Sequence, residues 1–283
     1  MVIEANAVDA AAMIGRRCGR RICVVERGRY PLELKLDEER RAWWRVATSV
    51  QRGIITNVAV SLLDRAIYSY SDVDRLVGLH AGTARRWLEG YERAGRYYEP
   101  VLREESSGTE SVTWGEMVEA RLLAEYRDKL VPVQRLRPAI VRLRDEFGRY
   151  PLAHARPFLD VEGRELVRAL QDEAGLDRPL RFVVVRNGQV MLSAAAQRFK
   201  DAVEYDGGVV ARLIPSIRTR EVVMDPAHAF GQPAIRNVRT DALAEDYRAG
   251  TSREELADLY DLSVDQVDEA IRFELIAGSG RAA

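Results

Sequence analysis

The chain has 283 residues, 47% apolar and 31% charged, with 43 basic side chains against 44 acidic ones and a net charge of −1. That balance excludes a bulk field able to gather nucleic acid, so any such site has to arise from local charge asymmetry. The longest uncharged apolar runs fall well short of the roughly 18 residues of a membrane span, and two cysteines, Cys18 and Cys23, neither build a disulfide framework nor complete a four-ligand zinc site.

Residues 1–57 differ from the rest. An Ala-rich start leads into Arg16, Arg17, Arg20 and Arg21, and the following ICVV is too short for the apolar core of a secretory signal. Cytoplasmic residence and reduced thiols are the expectation. The stretch LDEERRAWWRVATSV, from Leu36 to Val50, predicts a helix. No methionine lies between Met13 and Met117, while Val58 and Val60 stand just before the first orderly segment. Residues 1–57 are therefore read as an upstream extension, which mass spectrometry of the native N-terminal peptide decides.

Residues 58–149 hold the first orderly segment. Ser71 with Asp74 resembles a capping box for a helix whose buried stripe is Val73, Leu76 and Val77. Gly78-Leu79-His80 makes a turn, and a second helix is predicted from about Thr83 to Glu92, with Ala84, Trp87, Leu88 and Tyr91 on its apolar side. Two short helices joined by such a turn are the helix-turn-helix unit. Tyr97–Arg103 and Ser111–Trp114 predict a hairpin, a wing, around Ser106-Ser107-Gly108. Thr113 with Glu116 caps the next helix, where Trp114, Val118, Leu122, Tyr126 and Leu130 recur every four residues before Pro132 ends it. A seam of Val133, Leu136, Ile140, Leu143 and Phe147 follows, kinked or restarted at Pro138. Thr83, Arg85 and Arg86 fall at the start of the second helix, where backbone N–H groups also favour phosphate. Arg103 would reach a neighbouring phosphate from the wing. The alternative for the arginines is a solvated helix face.

Residues 150–220 predict a smaller α/β module: a helix around Gly163 to Ala174, a hairpin turning at Asn187-Gly188, a short helix from Ala195 to Ala202, and a strand Val209–Ile214 after Asp206-Gly207-Gly208. Residues 221–278 predict a strand, a Gly/Pro loop and three short helices. Ser252 with Glu255 and Ser263 with Gln266 are capping boxes. Over residues 221–276, 13 acidic side chains face 5 basic ones, so a helix-turn-helix rhythm here would meet phosphate repulsion on a duplex. The apolar side chains, Tyr247, Tyr260 and Phe273 among them, exceed what one three-helix unit buries, which implies a homodimer or another protein partner. Arg236 and Arg239 lie on the loop. Their forks suit a carboxylate cluster, either on a partner or on the domain's own acidic helices.

The segment YSYSDVDRLVGLHAGTARRWLEGYER, residues 68–93, resembles the N-terminal winged helix of MerR-type regulators. That resemblance implies backbone DNA contacts by Thr83 and Arg85. The chain departs from metal- and drug-sensing members in lacking a long dimer helix followed by a cysteine or ligand pocket. The loop Gly231-Gln232-Pro233-Ala234-Ile235-Arg236-Asn237-Val238-Arg239 resembles the GxPxIxxxR hallmark of a small antitoxin-associated domain, and the order of the two domains is similar to VapB-type antitoxins. Membership implies neutralisation of a PIN-like ribonuclease toxin and repression of the protein's own operator DNA. A mainly helical α+β fold without a cofactor or a catalytic role is the expectation. The alternatives are a ligand-responsive transcription regulator, with the central module as sensor, or a nuclease using Asp160, Glu162 and Glu165. Acidic residues at a helix start follow from the dipole alone, and His154 and His228 stand without a nucleophile at matching spacing.

Overall fold

The computed structural model describes residues 61–127 and 132–279, and as backbone strands alone 18–19, 22–27, 30–37 and 42–45. The chain divides into two compact units, Met1–Val58 and Ala59–Ala283. In the first, strands β1 (Cys18–Gly19), β2 (Ile22–Arg27), β3 (Tyr30–Asp37) and β4 (Ala42–Arg45) form an antiparallel meander with Cys18 opposite Cys23. The helix expected from Leu36 to Val50 is replaced by β4 and the end of β3. Trp is among the residue types enriched in strands. The proposed boundary at Asn57 and the upstream-extension reading otherwise fall outside the described residues.

The second unit opens with β5 (Ala66–Tyr68), which leads into α1 (Tyr70–Leu76) and α2 (Thr83–Glu89). The capping box lies two residues earlier than expected, on Ser69 and Asp72. Asp74 is released for another task. Helix α2 stops at Glu89, and Tyr91 belongs to a hairpin of β6 (Tyr91–Arg93) and β7 (Arg96–Tyr98). The wing expected around residues 106–108 is thus displaced. β8 (Val112–Thr113) pairs with β5 instead, carrying the chain back beneath the helices.

Thr113 and Glu116 cap α3 (Trp114–Ala124) as expected. That helix ends before Tyr126, and Leu130 lies outside the described residues. Pro138 sits in the first turn of α4 (Arg137–Phe147), after a 3-10 turn at Val133–Leu136, so the proline restarts the helix where its missing N–H does no harm. Short α5 (Arg156–Leu159) and α6 (Val161–Glu173) follow. The central module holds hairpin β9 (Val183–Arg186) and β10 (Gln189–Leu192), α7 (Ala194–Lys200), and hairpin β11 (Val203–Asp206) and β12 (Val209–Leu213). The two hairpins are separate two-stranded sheets, and the strand expected at Val209–Ile214 is β12, paired with β11. Buried Gln171 of α6 stands in for ladder bonds, donating to the Val183 carbonyl at 2.7 Å and accepting from Phe182 N at 3.2 Å.

After a short ribbon of β13 (Ala234–Ile235) and β14 (Val238–Arg239), the chain ends in α8 (Thr240–Arg248), α9 (Arg253–Tyr260) and α10 (Val264–Ser279). Within the second unit a continuous core runs from Leu63 to Ala277 through the helices and the central hairpins. Trp114, fully buried at its centre, donates its indole N–H to the Val210 carbonyl at 2.8 Å and so ties the helix-turn-helix segment to β12. Mixed helices and small antiparallel sheets, mainly helical, make this an α+β fold. No helix among the described residues is long and apolar enough to cross a membrane.

Candidate functional site

The start of α2 is built from the preceding helix. Its N-cap is Gly82, which has no side chain to satisfy the free amides of the first turn. Asp74 of α1 does so: its carboxylate accepts from Gly82 N at 2.6 Å and Ala84 N at 2.7 Å. Burial pushes the Asp74 carboxyl above its ordinary range, and those backbone donors only partly offset it. One face of α2 buries Ala84, Trp87 and Leu88, while Arg85 and Arg86 are exposed. The half-buried Thr83 accepts from Arg86 Nη2 at 3.1 Å. The three residues expected at this terminus are therefore together, two of them facing solvent.

Gly90 lets the chain turn sharply from α2 into the hairpin. Its φ is +75°, and a Cβ there would lie 2.5 Å from the Tyr98 carbonyl oxygen. In the hairpin Tyr91 stacks on Tyr98 at 4.8 Å between ring centres, and the Arg96 guanidinium lies 5.3 Å over Tyr98. Arg93 and Arg96 pair across the turn and are exposed, as is Tyr97. Sequence reasoning missed both arginines. The signal was YER-AG-RYY, two short strands about a two-residue turn, hidden because Tyr91 also fits the apolar side of a longer helix.

Arg103 is not on a wing. Its guanidinium joins Glu89 at the end of α2 to Glu116 at the start of α3, with Nε to Oε1 of Glu116 at 2.7 Å and Nη2 to the Ser111 carbonyl at 2.8 Å. Its side chain is only 10% exposed, so its fork is committed to internal carboxylates. Burial raises the Glu89 carboxyl. Donors from Ser106, Tyr70, Gly108 N and Ser107 outweigh that and hold it down at about 2.

In the C-terminal domain Phe273 is 2% exposed. It packs with Leu243, Leu256 and Val267 in the core, which removes it from the candidate partner contacts. Tyr247 and Leu259 are exposed, and the half-buried Tyr260 donates its hydroxyl to Asp246 at 2.7 Å. Arg236 donates to the Asp261 carbonyl at 3.0 Å, and Arg239 holds Asp241 with Nε at 3.0 Å from Oδ1. Both loop arginines clasp their own domain in this structure. The imagined nuclease carboxylates are dispersed around a helix start: Asp160 precedes α6 and Glu165 pairs with Arg168 at 2.9 Å. His154 meets the Arg149 carbonyl at 3.2 Å, and His228 meets Asp225 at 2.9 Å. Among the described residues no group of three His, Cys, Asp or Glu side chains is placed to hold a metal ion.

Two family models match the chain. Residues 66–140 match the family described as "Putative DNA-binding HTH domain", and residues 222–273 match "Protein of unknown function (DUF433)". In Mycobacterium tuberculosis (strain ATCC 25618 / H37Rv), the protein named "Uncharacterized protein Rv2308" is 43% identical over 221 residues, covering 75% of this chain and 92% of its own. "Putative antitoxin VapB45" of the same strain is 25% identical over 225 residues, covering 74% of this chain and 93% of its own. The crystal structure of Rv2018 from M. tuberculosis superposes with a TM-score of 0.58 at 22% identity, covering 74% of this chain and 99% of that one. That last likeness shows a shared fold. With a match to a DNA-binding helix-turn-helix family in front and to DUF433 behind, the chain belongs to the family of Rv2308.

Proposed function

We propose that the protein is the antitoxin of a type II toxin–antitoxin pair, which represses its own operon by binding operator DNA and neutralises a PIN-like ribonuclease toxin by direct binding. The observation that carries the DNA half is the run of exposed arginines on consecutive elements, Arg85 and Arg86 on α2 and Arg93 and Arg96 on the hairpin. Arginine forks at a capped helix N-terminus are suited to phosphate and to guanine edges. Thr83 stands beside them. A MerR-like docking of α2 into the major groove accounts for this placement. The partner half is supported by the acidic C-terminal domain with Tyr247 and Leu259 exposed and by a relative named as an antitoxin. Neutralisation would be non-catalytic, by occlusion. A homodimer would present two α2 helices to a palindromic site.

The test has two arms. The double variant Arg85→Ala, Arg86→Ala is expected to bind the fragment upstream of its own operon at least about tenfold more weakly, with the salt slope reduced by up to about two. Co-expression with the neighbouring gene product is expected to rescue growth and give a co-purifying complex. Wild-type affinity in the variant would remove the DNA reading, and growth arrest despite co-expression would remove the antitoxin reading.

A ligand-responsive regulator is the second reading, with its sensing site placed outside the central module expected to hold it. That site is a groove of about 500 Å³ lined by Arg75, Leu76, Leu79, Arg85 and Phe273, a size in the range of small-molecule sites. Operator binding that is intact but released by a small anionic metabolite, with no toxin partner, would favour it.

A further inference from the structure

The loop that marks the C-terminal domain in the sequence is turned inward, against the helix-turn-helix domain. Gly231 has φ +73°, and a Cβ on it would lie 2.5 Å from both Ile67 Cδ1 and Tyr68 Oη. The Tyr68 hydroxyl donates to the Gly231 carbonyl at 2.6 Å in a buried contact, and Arg65 Nη1 donates to the Pro226 carbonyl at 2.8 Å. Burial pushes the Tyr68 phenol well above its ordinary range, so it stays a neutral donor. At the other end of α1, Arg75 pairs with Glu274 of α10 at 3.5 Å, and the same carboxylate accepts from Thr240 Oγ1 at 2.6 Å.

The C-terminal domain thus holds α1 at both ends: at Tyr68, two residues before it begins, and at Arg75, one residue before its last. Between them sits Asp74, whose carboxylate caps α2. Coupling between sites is carried by packed elements and hydrogen-bond networks. Here an unbroken set of contacts runs from Gly231 and Glu274 through α1 to Asp74 and the start of α2. We propose that Gly231, Tyr68, Arg75 and Glu274 are positioning residues for DNA binding, through which the C-terminal domain aims α2, so that what binds the C-terminal domain alters operator affinity. By linkage, operator DNA alters the affinity for that ligand by the same factor. This rests on the DNA-binding reading above. The GxPxI loop then serves as the joint between the two activities rather than as a hook for a partner.

The test uses the full chain and the duplex upstream of its own gene. Arg75→Glu and Glu274→Lys are each expected to weaken binding about tenfold, and the double swap to recover most of that loss. Thermal melts of the same variants separate aim from stability. A loss of binding that disappears once each variant is assayed well below its own melting temperature overturns the proposal. Single variants that bind like the wild type, or a swap no better than either, overturn the proposal. Hydrogen exchange provides the second readout. Tyr68→Phe, which removes only the hydroxyl bonded to Gly231, is expected to speed exchange at the Gly82 and Ala84 amides, and unchanged protection there overturns the proposal. If the wild type ignores the duplex, the DNA reading fails by itself, while the exchange measurement still decides the joint.

Discussion

Two carboxylates placed inside this protein behave in opposite ways because their surroundings differ. Glu119 of α3 is fully buried, and one oxygen accepts from Leu152 N at 3.1 Å while the other has no hydrogen-bond partner among the described residues. Burial pushes its carboxyl from 4.5 up to about 8, against the opposing pull of the Leu152 amide and the Arg144 charge. A raised pKa means that the native state holds a proton the unfolded chain has lost, so this stability is present below pH 4.5 and disappears as pH rises through about 8. Glu119→Gln is expected to match the wild type near pH 4 and exceed it at pH 9 by on the order of a few kcal/mol in urea unfolding. A gap that does not change with pH would contradict it. Glu89 has the opposite sign: held at about 2, it contributes stability above pH 4.5 that is lost as pH falls towards 2. Its partner Arg103 also holds Glu116, so Arg103→Ala should cost on the order of 3 kcal/mol of stability by stranding two carboxylates. The salt slope of operator binding should be unchanged in that variant, because the side chain faces no phosphate. The sequence shows that these charges exist. Which of them lie inside depends on the fold.

At the scale of elements, local grammar was most legible where a cap and a periodic stripe agree. Thr113 with Glu116, Ser252 with Glu255 and Ser263 with Gln266 all cap where expected, because each box closes within four residues and needs no tertiary partner. The hairpin at Asn187-Gly188 is of the same kind. The errors fall where two local solutions compete. Ser69/Asp72 and Ser71/Asp74 offer the same spacing, and the choice is made by α2, whose bare Gly82 terminus takes Asp74. Asp74→Ala is accordingly expected to cost about 1–2 kcal/mol of stability, as lost caps do, and to weaken operator binding while α1 stays capped. Circular dichroism melts and a binding titration check both. A variant that melts early but binds as tightly as the wild type would detach the cap from recognition. The hairpin after α2 was missed for a related reason: aromatic residues suit helix and strand alike, and only the close approach at Gly90 separates them.

At the scale of the molecule, one core of the second unit joins the helix-turn-helix domain, the central hairpins and the acidic C-terminal helices. Surplus apolar surface remains at Tyr247 and Leu259, so Tyr247→Ser with Leu259→Glu should change stability by no more than about 0.5 kcal/mol yet abolish capture of the neighbouring gene product in a pull-down. Retained capture would move the partner site elsewhere. The sequence by itself determined the mainly helical α+β class, the order of the two domains, the basic start of α2 and the acidity of the C-terminal domain, because composition, capping and periodicity are local properties of a chain. Only the tertiary structure decided that Arg103 and Phe273 are internal, that Arg236 and Arg239 clasp their own domain, and that the Gly231 loop seats against Tyr68. Those outcomes depend on contacts between residues as far apart as Tyr68 and Gly231 or Arg75 and Glu274, and no spacing along a chain encodes which distant surfaces exclude water from one another.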